Sequence, residues 1–135
     1  QVETALAGIE APPGGVLVVH ADLPLATGGA LRELVAAAPP APSVTMVRSG
    51  DGGTNAMLLR PPGRFALAYG VGTFARHRAA AEAAGVAIAV VDDDRLALDL
   101  DTPGDIAMFL AHEGARGTRA AETIATFSCA GENVR

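Results

Sequence analysis

The sequence has few of the residues on which several classes of protein depend. Its 135 residues contain one cysteine, no tryptophan and only 4% aromatic side chains. Cys129 has no partner for a disulfide or for a cysteine-based metal site, so we expect a reducing, cytoplasmic compartment. No apolar run approaches the roughly 18 residues of a membrane-spanning helix, and no signal-peptide pattern is visible. The sequence therefore predicts no membrane association.

Basic residues are scarce relative to acidic ones. Lys and Arg together number 10 against 15 Asp and Glu, which gives a formal net charge of -5 at pH 7. Because no basic field can concentrate a polynucleotide, we expect no nucleic-acid binding, and any nucleotide to be a small ligand held by specific groups. Half of the residues are hydrophobic. At this length, that composition fits the core of one soluble domain.

Strand-like and helix-like segments alternate along the chain. The segment 16–19 is a continuous apolar run, typical of a central parallel strand that is covered on both faces. Three helices follow threonines that can cap them, and the helix after Thr27 places Leu31, Leu34, Val35 and Ala38 on one face. The predicted strands are 16–19, 44–48, 55–60, 86–91 and 96–100; the predicted helices follow Thr27, Thr73 and Thr102, with the end of another at 2–9 and a short one at 120–127.

This alternation predicts an α/β sandwich with a mixed, mostly parallel sheet. We divide the chain into a domain over 1–112 and a C-terminal tail over 113–135. Ligands of such folds bind beyond the carboxyl ends of the strands, which draws attention to Asp22, directly after the first strand. Pro24 stiffens the loop that holds it. A loop-capping role explains Asp22 equally without a ligand.

A second acidic feature lies near the predicted fifth strand. Asp99 and Asp101 alternate with two leucines, so a strand would place both carboxylates on one face. Such a pair is best accommodated around a divalent cation, and oxygen ligands select Mg²⁺ or Mn²⁺. A solvated strand face, or a helix start assisted by Asp101, explains the pattern without a metal. The acidic run 92–94 we interpret as a solvated turn.

Two glycine-rich segments could bind an anion. The turn 50–55 offers backbone N–H groups and the hydroxyl of Thr54, although most such turns need no ligand. In the segment 69–73, Gly70 lies just before a predicted helix start, where free N–H groups favour an anion. Capping of the helix by Thr73 alone is the ordinary explanation of this segment. His77 can reach the same anion or lie in solvent or the core. We interpret His20 as a buried packing residue.

Four motifs follow one another in order. They are Ala21-Asp22-Leu23-Pro24, Asp51-Gly52-Gly53-Thr54-Asn55-Ala56, Tyr69-Gly70-Val71-Gly72-Thr73-Phe74-Ala75-Arg76-His77 and Leu98-Asp99-Leu100-Asp101-Thr102-Pro103-Gly104-Asp105. Together they resemble the 2-phospho-L-lactate guanylyltransferase family over about residues 1–112. The resemblance implies a three-layer, glycosyltransferase-A-like (Rossmann-like) nucleotidyltransferase sandwich. It also implies transfer of GMP from GTP to 2-phospholactate, phosphoenolpyruvate or 3-phosphoglycerate, with release of pyrophosphate, in deazaflavin coenzyme biosynthesis.

The resemblance also implies roles for particular residues. The implied catalytic and Mg²⁺-holding residues are Asp22, Asp99 and Asp101, and the implied contacts to the phosphorylated acid are Thr54, Gly70 and Thr73. Transfer of this kind depends on positioning and on neutralising anions, and it needs no protein nucleophile. The expected partners are therefore GTP and a small phospho-acid.

Alternatives remain open at this point. Similar folds serve molybdopterin-type and sugar-phosphate nucleotidyltransferases, and a non-catalytic fragment can retain such a fold. Members of the family begin with a strand and a basic loop for the triphosphate, whereas Gln1 opens on a helix-like segment. We therefore expect the chain to carry the metal and acceptor side, and to be completed by an N-terminal segment or a homo-oligomer. The segment 16–19 would then have an exposed strand edge.

Overall fold

Four strands form one mixed sheet within the part of the chain that the structure describes. The computed structural model describes residues 4, 6, 12–68 and 72–131. The strands are β1 (Val16–Val19), β2 (Ser43–Arg48), β3 (Thr54–Arg60) and β4 (Ala87–Val91). They lie in the order β1-β3-β2-β4, with β3 antiparallel to β1 and β2, and β2 parallel to β4.

The α/β class and the mixed sheet are confirmed, but the expectation of a mostly parallel sheet is wrong for the described residues. Two of the three strand pairs are antiparallel. The reason lies in the link 49–53 between β2 and β3, which is too short for the crossover that a parallel pair requires. The predicted helix end at 2–9 lies outside the described residues, except for positions 4 and 6, which are helical.

The strand β1 lies at an edge of the described sheet and not at its centre. It pairs with β3 from Val16↔Leu59 to Val19↔Ala56, and no described strand lies on its other side. The central, parallel placement predicted for it is wrong, whereas the exposed edge is as expected. All four residues of β1 are only partly buried, whereas almost all residues of β2 and β3 are buried. The apolar composition of β1 did not by itself indicate that it is an edge strand.

The helices begin at residues that satisfy their free N–H groups, with one exception. They are α1 (Gly28–Ala36), α2 (Thr73–Ala83), α3 (Asp94–Ala97), α4 (Pro103–Ala111) and α5 (Arg119–Gly131), with a 3-10 turn over Glu113–Ala115. The hydroxyl of Thr27 accepts from the N–H of Ala30 at 3.1 Å. Thr102 caps α4 as predicted, and it forms a capping box with Asp105. The N-cap of α2 is Gly72, so Thr73 is the first helical residue and the predicted cap is wrong.

The segment predicted as a fifth strand, 96–100, is part of a short helix followed by irregular chain. The helix α3 ends at Ala97, and 98–101 has no regular structure. Asp93 caps α3 by accepting from the N–H of Arg95 at 2.9 Å, and it also pairs with the Arg95 guanidinium. The side chain of Asp93 is only 8% exposed, so the solvated-turn interpretation is wrong for this residue.

Apolar clusters hold helices against both faces of the sheet. One face carries a cluster of Leu23, Ala30, Leu34, Val47, Ala56, Leu58 and Leu96, and the other carries Val44, Met46, Met57, Leu59, Ala81 and Val86. Alternation along β2 and β3 divides their residues between these clusters, which gives the predicted three layers. In α1, Val35 is 46% exposed and does not share the buried face that was expected.

The C-terminal helices pack on a third, smaller cluster. Phe109 of α4 is fully buried there with Leu25 and Ala115, and α5 contributes Ile124. The short helix predicted at 120–127 is confirmed within α5. None of the helices in the described part of the chain combines the length and the apolar character that crossing a bilayer requires.

Candidate functional site

A cavity of about 280 Å³ opens at one end of the sheet. Its lining includes five of the residues singled out from the sequence, namely Asp22, Thr54, Thr73, Asp99 and Asp101. Three of the four strands, β1, β2 and β4, run in the same direction and end at this side. The rule that ligands bind beyond carboxyl ends therefore located the cavity correctly, although the sheet is not mostly parallel.

Backbone hydrogen bonds tie the loops of the cavity together. The N–H of His20 donates to the carbonyl oxygen of Asn55 at 2.9 Å, and the N–H of Leu100 donates to the carbonyl oxygen of Asp22 at 3.2 Å. The loop that carries Asp22 is thus held between the start of β3 and the segment 98–101. This is how carboxylates from distant parts of the sequence reach one cavity.

The carboxylates of Asp99, Asp101 and Asp51 lie close enough in the cavity to repel one another. Burial raises the pKa of Asp99, and the neighbouring Asp101 and Asp51 carboxylates raise it further. A cation would relieve this repulsion, and carboxylate oxygens are the ligands that Mg²⁺ prefers. Within the described ranges, however, no three His, Cys, Asp or Glu side chains are grouped so that they could hold a metal ion.

The turn between β2 and β3 uses its polar groups internally. The Asp51 carboxylate accepts from the Ser49 hydroxyl and, at 2.9 Å, from the N–H of Gly53, and these bonds lower the pKa of Asp51. The N–H of Gly52 donates to the Ser49 carbonyl oxygen at 3.1 Å. Two of the backbone N–H groups that were expected to bind an anion, those of Gly52 and Gly53, are therefore occupied. The Thr54 hydroxyl remains as the donor from this turn that faces the cavity.

Gly53 is required by its close surroundings. A Cβ at this position would lie 2.7 Å from the Ser49 hydroxyl oxygen and 3.1 Å from the Asp51 carboxylate. It would also approach the Thr73 hydroxyl oxygen to 3.7 Å. Glycine therefore lets the turn close against the start of α2, where the Phe74 N–H donates to the Gly52 carbonyl oxygen at 3.3 Å.

Thr54, Thr73 and His77 also line the cavity, and together they form what we call its hydroxyl wall. The Oγ1 of Thr54 lies 3.0 Å from Nδ1 of His77 and 3.5 Å from the Oγ1 of Thr73. Thr54 and Thr73, two of the three residues expected to contact the phospho-acid, thus come together. The third, Gly70, lies outside the described residues.

Two residues of the cavity were missed or misread in the sequence. His20 was interpreted as buried, but it is exposed at the end of β1 and lines the cavity, because β1 ends one residue earlier. Asn55 is 1% exposed, and its amide donates to the carbonyl oxygen of Ala97 at 3.0 Å. The signal available for Asn55 was its place at the start of an apolar strand, because an amide that is buried there must have a hydrogen-bond partner.

The fold is thus an α/β domain with a cavity at the carboxyl ends of β1 and β2, lined by carboxylates and hydroxyls. The sequence matches the family model described as "Guanylyl transferase CofC like" over residues 1–129. The chain belongs to this guanylyltransferase family, as the four motifs predicted.

Named relatives support the same family. A phosphoenolpyruvate guanylyltransferase of Sphaerobacter thermophilus is 40% identical over 97 residues, which cover 72% of this chain and 47% of that protein. A 2-phospho-L-lactate guanylyltransferase of Halorubrum lacusprofundi is 44% identical over 102 residues, with coverages of 76% and 46%. A protein of the same description from Methanoregula boonei is 34% identical over 122 residues, with coverages of 90% and 55%. The chain spans about half the length of these relatives.

Proposed function

We propose that this chain supplies the acceptor-binding and metal-binding side of an enzyme that transfers GMP from GTP to a small phosphorylated carboxylic acid. The observation that carries the proposal is the meeting, in one cavity, of Asp22, Asp99 and Asp101 with the hydroxyls of Thr54 and Thr73. Relatives named for phosphoenolpyruvate and for 2-phospho-L-lactate support this class of acceptor.

The size of the cavity supports a small acceptor. Its volume of about 280 Å³ is slightly below the range of pockets that hold drug-sized molecules. A three-carbon acid with one phosphate fits such a space, and a second cavity of about 730 Å³ shares Asp51, Asp99 and Asp101 with it. We therefore assign the smaller cavity to the acid.

The two walls of the cavity have different electrostatic preferences. The hydroxyl of Thr54 can donate a hydrogen bond to a phosphate or a carboxylate, and that of Thr73 can do so when it does not donate to Thr54. The carboxylates of Asp22, Asp99 and Asp101 would repel the same anion. In the proposal, the acid therefore lies against the hydroxyl wall, and Asp22, Asp99 and Asp101 would hold a cation that offsets the charge of its phosphate.

The carboxylate wall fits Mg²⁺ by the chemistry of its donors. Proteins usually hold Mg²⁺ through one or two carboxylates, with substrate phosphates and water as the other ligands, so a preformed group of three is not required. Asp99 has the most to gain from a cation, since burial and its acidic neighbours raise its pKa. When bound, Mg²⁺ would supply charge neutralisation between the phosphates of the two substrates.

The reaction in this proposal is a displacement at phosphorus. An oxygen of the acid's phosphate forms a bond to the α-phosphorus of GTP, and the bond from that phosphorus to the β-phosphate oxygen breaks, releasing pyrophosphate. No side chain acts as a nucleophile. The residues of this chain hold the acceptor oxygen in line and limit repulsion between the anions.

Calorimetry on the chain tests the acceptor assignment. We expect phosphoenolpyruvate, 2-phospholactate or 3-phosphoglycerate to bind, and the binding to be tighter with Mg²⁺ than with EDTA. Pyruvate, which has a carboxylate but no phosphate, is the matched control ligand. A chain that binds none of the three phospho-acids would refute the assignment.

A chimera tests the complete reaction. This chain would replace the matching part of the Sphaerobacter thermophilus relative, and pyrophosphate release from GTP would be followed with each acid. We expect acid-dependent release from the chimera and none from the remaining part of the relative alone. Release that does not depend on any of the acids would contradict the proposal.

A further inference from the structure

The buried imidazole of His77 has both ring nitrogens engaged. The backbone N–H of Ala68 donates to Nε2 at 2.9 Å, and Nδ1 lies 3.0 Å from the Oγ1 of Thr54. The residue is only 5% exposed, and its partners come from β3 and from the loop after it. His77 therefore links α2 to two other elements at the hydroxyl wall.

The contact with Ala68 determines which nitrogen carries the proton. A backbone amide can only donate, so Nε2 must accept and cannot carry a hydrogen. In a neutral imidazole the hydrogen is then on Nδ1, and Nδ1–H donates to the Oγ1 of Thr54. Burial also lowers the pKa of His77, which favours this neutral state.

The donor role of His77 leaves Thr54 with one defined task. A threonine hydroxyl has one hydrogen, and an oxygen that accepts from Nδ1–H keeps this hydrogen for another acceptor. The Oγ1 of Thr73 is the other hydroxyl nearby, at 3.5 Å, and it is placed to donate to Thr54. Thr54 lines the cavity, so its hydrogen is available to an anion there.

We propose that His77 is a positioning residue: it fixes the Thr54 hydroxyl as a donor directed at the anionic acceptor substrate. The inference rests on the proposed function, because it assumes that a phosphorylated acid occupies this cavity. His77 itself does not need to touch the acid.

Two substitutions separate this role from simple packing. Asparagine can place its amide N–H near the position of Nδ1, whereas glutamine can place its carbonyl oxygen near the position of Nε2. The His77→Asn variant thus keeps the donor to Thr54 and loses the acceptor for Ala68. The His77→Gln variant does the reverse. A purely structural role would make the two variants similar, or would favour glutamine.

The first test reads the tautomer of His77 in the complete chain by long-range ¹H–¹⁵N NMR without any ligand. We expect hydrogen on Nδ1. Hydrogen on Nε2 would overturn the inference and would leave phospho-acid binding unaffected, so this failure is distinct from failure of the proposed function.

The second test measures phosphoenolpyruvate binding by calorimetry. We expect His77→Gln to weaken binding by about tenfold, as Thr54→Val does, because a hydrogen bond to a charged group is lost. The affinity of His77→Asn should stay within about threefold of that of the parent. The double variant His77→Gln/Thr54→Val should bind only slightly more weakly than Thr54→Val alone. Melting temperatures report the folded state of each variant. Equal binding by parent and His77→Gln would overturn the inference, and no binding by the parent would overturn the proposed function with it.

Discussion

The side-chain amide of Asn55 donates a 3.0 Å hydrogen bond to the carbonyl oxygen of Ala97, at the end of α3 and directly before the segment that carries Asp99 and Asp101. Asn55 follows Thr54 on β3, so strand alternation sends these neighbours to opposite faces of the sheet. Thr54 contacts His77 on the side of α2. Two adjacent residues thus organise both walls of the cavity.

Replacing Asn55 by alanine should loosen the carboxylate wall. The substitution leaves the Ala97 carbonyl oxygen without its partner and creates a small cavity at a site that is 1% exposed. We expect a loss of about 2 kcal/mol in the free energy of unfolding, measured by urea denaturation. In the chimera, pyrophosphate release should also fall.

Thr45→Val is a matched control for Asn55→Ala. Thr45 lies on β2 in the same sheet, is fully buried, and its hydroxyl has no hydrogen-bond partner within the described residues. Valine has nearly the same shape and removes a polar group that gains nothing from burial. We expect no loss of stability. A loss in Thr45→Val as large as that in Asn55→Ala would show that the cost is not specific to the hydrogen bond of Asn55.

Neutralising the carboxylates of the cavity should reduce activity without a matching loss of stability. Asp22→Asn, Asp99→Asn and Asp101→Asn should each reduce turnover by at least about tenfold, because each weakens the holding of Mg²⁺. For Asp99→Asn, the melting temperature should stay equal or rise. Its carboxylate has a raised pKa, so near neutral pH the ionised form opposes folding.

Asp92→Asn provides the comparison for these variants. Asp92 is exposed just after β4 and does not line the cavity. Its neutralisation should change neither turnover nor melting temperature. If the three cavity variants kept normal turnover and normal Mg²⁺ dependence, the metal assignment would be wrong.

Thr73 offers a test of which substrate meets the hydroxyl wall. Thr73→Ala should raise the KM for the phospho-acid more than the KM for GTP, since the hydroxyl lies beside Thr54. Thr73→Ser keeps the hydroxyl and should behave as the parent does. A change confined to the KM for GTP would mean that Thr73 contacts GTP and not the phospho-acid.

Local signals in the sequence located the starts of α1 and α4 and several residues of the cavity. Thr27 and Thr102 were read correctly as caps because the hydrogen bonds of a cap join residues that are close in sequence. Asp22 was selected by its position after a strand, and this signal does not depend on how the strands pair. Asp99 and Asp101 were selected by an alternation typical of a strand, and they line the cavity although 98–101 is not a strand.

The remaining features depend on contacts between distant residues. The alternation of Leu98 to Asp101 resembles a strand, but Asp93 caps α3 just before it, and the bond from Asn55 to Ala97 holds the chain out of the sheet. The hydrogen bonds of His77 join it to β3 and to the loop after it. No local pattern encodes such partners, so the tautomer of His77 follows only from its contacts in the folded chain.

The capping box of α4 should support both the helix and the cavity. The Asp105 carboxylate accepts from the N–H of Thr102 at 2.7 Å and from the N–H of Asp101 at 3.3 Å. Thr102→Ala removes the reciprocal bond to the N–H of Asp105. We expect a loss of about 1 kcal/mol in urea denaturation. Thr123→Ala, at an exposed position in α5, should cost less, and equal costs would argue against the capping role.

His77 should also make stability depend on pH. Burial lowers its pKa in the folded protein below the ordinary value of 6.5, so the unfolded chain binds a proton at a higher pH than the folded chain does. As the pH falls through about 6.5, protons therefore favour unfolding, and the stability present at higher pH is lost. The unfolding free energy of the parent should fall more than that of His77→Gln between about pH 7.5 and about pH 5.5. The difference between the two proteins isolates His77, because all other titrating groups are common to both.

Parallel pH profiles would mean that the imidazole is as easily protonated in the folded protein as in the unfolded one. A protonated imidazole would carry hydrogens on both nitrogens, and the Ala68 N–H would then face a donor instead of an acceptor.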